Sequence, residues 1–220
     1  MTTSVSNQVP EGVAGLGDIM AGYPGVWALC GGWAVDAWLG KVTREHADID
    51  LAVFADDYRA LFKHLDGWQM LAHDDTWEPN DIDVWWDGSR RVTVPGHIHA
   101  RPPERSGAVP KEGIATIEDG FWLDIQICER SGPDWVMLRD PRVGLSLERS
   151  VRESPWGLPT ASPEVLLFYK GWPQDEVGFL RRRDKLDFTA LRPTLSGEQR
   201  DWLRDALERV GHPWLPQLSP

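Results

Sequence analysis

The sequence has only two cysteines, Cys30 and Cys128, in 220 residues. Neither a Cys-x-x-Cys pair nor a histidine cluster at ligand spacing is read from it, so a zinc site is not expected. Two lone thiols fit a reducing compartment. Positive charge is also scarce: 23 Lys and Arg stand against 34 Asp and Glu, a net charge of −11. Attraction to a nucleic-acid backbone needs the opposite sign, which argues against a nonspecific DNA or RNA binder. An acidic field suits cationic partners instead, including Mg²⁺ and amine-bearing small molecules. No apolar run approaches a membrane span. The first twenty residues lack the basic start and apolar stretch of a signal peptide, so a cytoplasmic protein is expected.

What is present suffices for an ordinary folded protein. Apolar residues make up 41% of the chain and charged residues 26%, enough for a core without metal or disulfide staples. The 13 tryptophans are scattered without a repeat, and packing is their expected use. A short helix is expected near residue 20. Val26-Trp27-Ala28-Leu29-Cys30 reads as a buried strand that stops at Gly31-Gly32, and a helical pattern runs from Trp33 to Leu39 with Gly40 as its stop. Ile49, Leu51 and Val53 alternate with Asp48, Asp50 and Ala52, a half-buried strand. A helix is predicted over about 56–65, and short strands over 68–73, 81–86 and 90–94. Residues 95–113, rich in Pro, Gly, Arg and His, read as a long loop. Residues 121–128 form another alternating strand with Asp124 on its polar side, followed by a strand at 135–138. Beyond about 160 the period becomes helical: Ser162-Pro163-Glu164 opens one helix, residues 184–191 form a second, and Ser196 to Val210 a third that Gly211 closes.

Several groups of residues could carry chemistry. Gly31-Gly32, between a strand and a helix, lets backbone approach a ligand at a helix N-terminus, which suits a triphosphate. No Lys-Ser or Lys-Thr follows, so this is not a P-loop. Alone, such a pair is more often a plain turn. Asp48 and Asp50 project side by side from one strand and can share a hard divalent cation; the plainer alternative is a solvated strand face. Asp124 could join them from a neighbouring strand, and three such acids could hold two Mg²⁺ ions. Asp81 and Asp83 form a competing pair at the same spacing, but without an upstream glycine turn. Trp85 and Trp86 could stack on a base or sugar, although one ring of such a pair ordinarily lies in the core.

The run GGWAVDAWLGKVTREHADIDLAVF resembles the aminoglycoside nucleotidyltransferase-like branch of the DNA polymerase β-type nucleotidyltransferase superfamily. The likeness extends to WLDIQI, SPEVLLFYK, RRRDKLDFTAL and GHPWL, and is weakest over 74–120. It implies an α+β fold, a small mixed β-sheet flanked by helices over 1–150 followed by a helical C-terminal unit over 151–220. It further implies transfer of a nucleoside monophosphate, with ATP the expected donor, to a hydroxyl, releasing pyrophosphate. Gly31 and Gly32 would then cradle phosphates, Asp48 and Asp50 would bind metal, and Asp124 would be a metal ligand or the base. Arg44, His46 and Lys170 become candidate nucleotide contacts, against orienting or solvated roles. The chain departs from the family where Arg183, rather than a lysine, precedes Asp184; Asp184 and Asp187 are expected to hold the helical unit together. A small cationic acceptor such as an aminoglycoside is expected. The rivals are a transferase acting on protein or tRNA, for which Arg181-Arg182-Arg183 is the one compact basic stretch, and a non-catalytic nucleotide-binding protein.

Overall fold

The computed structural model describes residues 9–77, 83–103, 123–172 and 180–218. Helix α1 (Glu11–Ile19) buries Val13 and Leu16, and the apolar run before the glycine pair forms β1 (Trp27–Leu29). Helix α2 (Gly31–Leu39) starts at the glycine pair itself, two residues ahead of its apolar pattern, and Gly40 ends it in the left-handed region. Strand β2 (Ile49–Phe54) leads through a tight turn into α3 (Tyr58–His64), and then come β3 (Gln69–Asp74) and β4 (Val84–Trp85). Asp81 lies outside the described residues.

Two expectations fail next. Residues 90–94 are not a strand, and β5 (Gly96–Arg101) occupies the start of the stretch read as a loop. Ile98 and Ala100 are fully buried there and alternate with His97, His99 and Arg101. The period of two is present, but imidazole and guanidinium side chains on one face and Pro95-Gly96 at the start disguise it. The remainder of that stretch, from 104 onward, lies outside the described residues.

Strand β6 (Leu123–Ser131) buries Leu123, Ile125 and Ile127 and turns into β7 (Asp134–Val136) and β8 (Gly144–Ser146). After α4 (Leu147–Ser150) the strands continue past residue 150, as β9 (Val151–Glu153) and β10 (Pro159–Ala161). Helices α5 (Pro163–Tyr169), α6 (Arg182–Leu191) and α7 (Gly197–Val210) follow. Ser196 and Gln199 cap α7 reciprocally, and Gly211 ends it. Pro163 opens α5 as expected, although the Ser162 hydroxyl makes no capping bond.

The fold is α+β around a mixed sheet of order β4-β3-β5-β6-β2-β1-β10-β9, with β7 and β8 extending from β6. Strands β2 and β6 run parallel at its centre, and β1 pairs in parallel with β10. The sheet thus reaches Ala161, and the helical unit begins at Pro163. Trp77, Trp86, Trp135, Trp156 and Trp214 are buried in the core, as packing tryptophans should be. Among the described residues no helix is long and apolar enough to cross a membrane.

Candidate active site

The parallel ladder sets Asp50 of β2 directly beside Asp124 of β6. Apolar neighbours on the opposite face lock both strands to the core, so both carboxylates point the other way. Asp48, one residue ahead of β2, is exposed beside them. All three acids line one cleft of about 780 Å³, together with Gly31, Gly32, Arg44, His46 and Lys170. The sheet forms one wall, and Val165, Leu166, Tyr169, Arg181 and Arg183 of the helical unit form the other. Neither Trp85 nor Trp86 is among the lining residues; Trp86 is in the core, its indole N–H donating to the Arg90 carbonyl.

The glycine pair explains how Asp50 is held. Gly31 has φ 63°, in the left-handed region, and a Cβ there would collide with the Asp50 carboxylate. The Gly32 N–H donates to that carboxylate, placing Asp50 at the start of α2. A Cβ on Gly32 would in turn strike the His46 imidazole and the Arg44 guanidinium. The pair therefore leaves space into which three neighbouring side chains fold.

Burial and the adjacent Asp48 charge raise the Asp50 pKa above the ordinary carboxylate value. Asp124 is pushed up to about 7, by burial first and by the Asp50 charge second. One of its oxygens, Oδ1, is buried without a hydrogen-bond partner and lies 3.8 Å from His99 Nε2. Three crowded carboxylates, one with an unsatisfied buried oxygen, fit a hard divalent cation with oxygen ligands.

The other candidates sit around this centre with partners of their own. His46 Nε2 lies 2.7 Å from the Asp36 carboxylate, and its ring packs on Trp33. Asp36, fully buried within α2, also accepts from the Thr43 hydroxyl. Asp36 is not among the sequence candidates; its signal is an acid on the apolar side of a short helix, between Val35 and Ala37. Arg44 makes a two-pronged ion pair with Asp187, at 3.2 and 3.1 Å, and Lys170 Nζ lies 2.7 Å from Asp187 and 3.9 Å from Asp184. Lys170 is not a solvated helix lysine; its side chain is buried in these pairs. Asp184 also accepts from Arg181, so Asp184 and Asp187 hold α6 to α5, as expected, and Asp187 further ties it to the segment between α2 and β2.

A second cluster lies along the same sheet face. His99 stands opposite Asp124 across β5 and β6, and His97 opposite Gln126. His99 Nδ1 is 3.0 Å from Asp83, and His73, His97 and Asp83 gather around it. Burial would lower the His99 pKa, but the Asp83 and Asp124 carboxylates outweigh it and raise it. This cluster runs against the expectation of no histidine cluster; His97-x-His99 is its visible half in the sequence, disguised where β5 looks like a loop.

The Aminoglycoside-2''-adenylyltransferase family model matches residues 16–67, which span α1 to α3 and include Gly31, Gly32, Arg44, His46, Asp48 and Asp50. No curated protein matches the chain by sequence. Among solved structures, that of the antibiotic-resistance factor ANT(2'')-Ia in solution is similar at a TM-score of 0.52 and 17% identity, covering 90% of each chain. ANT(2'')-Ia in complex with adenylyl-2''-tobramycin is similar at 0.51 and 15% identity, over 90% of this chain and 95% of that one. The lincomycin-bound lincosamide antibiotic adenylyltransferase LnuA is similar at 0.50 and 18% identity, over 86% of this chain and all of that one. The fold is that of these nucleotidyltransferases.

Proposed function

We propose that this protein transfers a nucleoside monophosphate, AMP from ATP, to a hydroxyl of a small cationic acceptor of the aminoglycoside class. The observation that carries this reading is the convergence of Asp48, Asp50 and Asp124 on one cleft at the start of α2. The match of residues 16–67 to an adenylyltransferase family supports it independently of the geometry.

Asp48 and Asp50 would hold the divalent metal, with Asp124 closing the set from β6. When bound, Mg²⁺ supplies the positive charge that offsets the triphosphate and lowers the barrier to loss of pyrophosphate. Asp124, which lines the cleft directly beside Asp50, is the residue placed to take the acceptor hydroxyl proton. Gly31 and Gly32 line the same cleft and make room there for the Asp50, His46 and Arg44 side chains, through which the pair would act on the nucleotide. Arg44 and Lys170 face the same space, held in place by Asp187, and present cations to the nucleotide without needing to be ordered by it. The helical unit forms the opposite wall and limits access of water. Lining acids outnumber lining cations: Glu45, Asp48, Asp50, Asp124, Glu129 and Asp184 against Arg44, Lys170, Arg181 and Arg183. That excess favours an amine-bearing acceptor over an anionic one such as tRNA.

The test is incubation with Mg²⁺ and ATP labelled at the α- or γ-phosphate, across aminoglycoside, lincosamide and neutral-sugar acceptors. Label from the α position should enter an aminoglycoside, and label from the γ position should leave as pyrophosphate. Asp50→Ala should abolish transfer. Absence of turnover by the unaltered protein, or full activity in Asp50→Ala, overturns the assignment.

A further inference from the structure

We propose that the sheet face beside the carboxylate cleft carries a separate transition-metal site, built from Asp83, His97 and His99 and suited to Zn²⁺. One donor atom from each of these side chains lies within 4.8 Å of the other two, the one such His/Cys/Asp/Glu group among the described residues. The sheet places them there. His97 and His99 alternate along β5 and so share a face, and His73 of β3 stands opposite His97. Strand β4 pairs Trp85 with Leu71 and Val84 with Ala72, which brings Asp83, the residue ahead of β4, beside His73.

The spacing fits coordination. Asp83 Oδ2 is 3.0 Å from His99 Nδ1, while Asp83 Oδ1 is 3.5 Å from His73 Nδ1 and 3.8 Å from His97 Nε2. Zinc binds imidazole and carboxylate at roughly 2.0–2.2 Å, so two ligand atoms of a tetrahedral site stand roughly 3.3–3.5 Å apart. The separations from the Asp83 carboxylate bracket that value, and small side-chain rotations would close the site. His73 borders the site rather than completing it, its Nδ1 3.5 Å from Asp83 and its Nε2 3.1 Å from Asp75.

The donors decide the ion. Imidazoles with one carboxylate take transition ions such as Zn²⁺, Co²⁺, Ni²⁺ or Fe²⁺, of which Zn²⁺ needs no redox partner, whereas the all-oxygen set of Asp48, Asp50 and Asp124 suits Mg²⁺. The two sites would therefore sort their ions by ligand chemistry although they lie on one face. An ion on His99 Nδ1 also has a consequence for the cleft. It leaves the ring proton on Nε2, which lies 3.8 Å from Asp124 Oδ1, so metal occupancy would orient a donor toward Asp124.

The test reads metal binding and needs no turnover, so its outcome is independent of whether nucleotidyl transfer is confirmed. The full chain is stripped with a chelator, exchanged into chelator-free buffer, and titrated with Co²⁺. One equivalent should produce visible d–d bands of a four- or five-coordinate site, and Zn²⁺ but not millimolar Mg²⁺ should displace it. His97→Ala should weaken Zn²⁺ binding by roughly 100-fold or more, given that loss of outer partners alone costs roughly 10–100-fold. The Asp48→Asn/Asp50→Asn double variant should keep the bands. Should His97→Ala fail to fold by circular dichroism, Asp83→Asn, which preserves side-chain shape, should show the same loss. Absence of the bands in the unaltered chain overturns the site and leaves Asp83 and His99 as a hydrogen-bonded pair beside Asp124 without metal. Retention of the bands in the folded His97→Ala or Asp83→Asn variant, or their loss in the double variant, also overturns it.

Discussion

Asp50 and Asp124 are direct neighbours across the parallel ladder of β2 and β6, and the Asp50 charge adds to burial in raising the Asp124 pKa. Their proximity is a cost that the metal-free fold bears. Asp124 has an ordinary value of 3.8 in the unfolded chain and about 7 in the folded one. Below pH 3.8 both states are protonated and there is no penalty. Between 3.8 and about 7 the unfolded chain ionises while the folded one does not, so stability falls with rising pH and levels off above 7. Asp124→Asn removes this dependence. In chelator, the melting temperature of the variant should therefore gain on that of the parent between pH 4 and pH 7, and stay a constant distance above that. Parallel melting curves across this range would show that Asp124 ionises freely in the folded state.

Gly31→Ala should cost more than its backbone alone. The left-handed conformation penalises any side chain by about 1–2 kcal/mol. At Gly31 the new methyl would also displace the Asp50 carboxylate. Gly132 supplies the control: its φ is 58°, and a Cβ there would meet nothing within 4 Å. Gly132→Ala should lose only the backbone amount and keep activity, while Gly31→Ala should lose more stability and nearly all transfer. Equal melting shifts and equal activities for the two variants would separate Gly31 from the placement of Asp50.

Much of this arrangement was legible in the chain because local rules and global packing agree there. The alternation around Asp48-x-Asp50 and around Asp124 gave the direction of each carboxylate, and the helical period after Ser162 gave the second wall. What stayed hidden depended on partners distant in sequence. The apolar half of β5 is only Ile98 and Ala100, too little to outweigh three basic or imidazole side chains and a leading Pro95-Gly96. Asp36 looks like a solvated helix acid until Thr43 and His46 fold back on it. The glycine pair reads as an anion cradle, yet in the fold the Gly32 N–H goes to Asp50. That pairing requires β2 to lie beside β1, which no local pattern around Gly31 encodes.

Asp36 should prove a positioning residue for the segment that leads into β2. It is fully buried, and its two carboxylate oxygens receive Thr43 and His46. Asp36→Ala leaves the buried imidazole without its partner, at a cost of about 1–3 kcal/mol. Arg44 and Asp48 ride on the same segment, so transfer should fall as well. Asp36→Asn keeps one acceptor oxygen and should recover part of both losses in melting and single-turnover assays. Wild-type stability in Asp36→Ala would show that water replaces the carboxylate without effect.

Asp187 should respond to acid in the direction opposite to Asp124. Burial pushes its pKa up, but the hydrogen bonds and charges of Arg44 and Lys170 outweigh that and hold it below the ordinary 3.8. A depressed carboxylate contributes stability above its unfolded value and loses it as pH falls through the folded value. At pH 7 the Asp187→Asn variant should therefore be less stable than the parent, because it leaves Arg44 and Lys170 short of their shared counter-charge. Removing one partner of a buried pair costs about 3–5 kcal/mol, and the partial exposure of Arg44 sets the lower end as the expectation. The gap should close as pH drops below 3.8 and the parent's own carboxylate becomes neutral. Because Asp187 joins α6 both to Lys170 and to the segment carrying Arg44, the variant should also bind ATP more weakly even where it remains folded. Urea denaturation at pH 7 and below pH 3.8, with ATP affinity measured at pH 7, checks both parts. A gap that persists unchanged in acid would mean that shape, rather than charge, accounts for the role of Asp187.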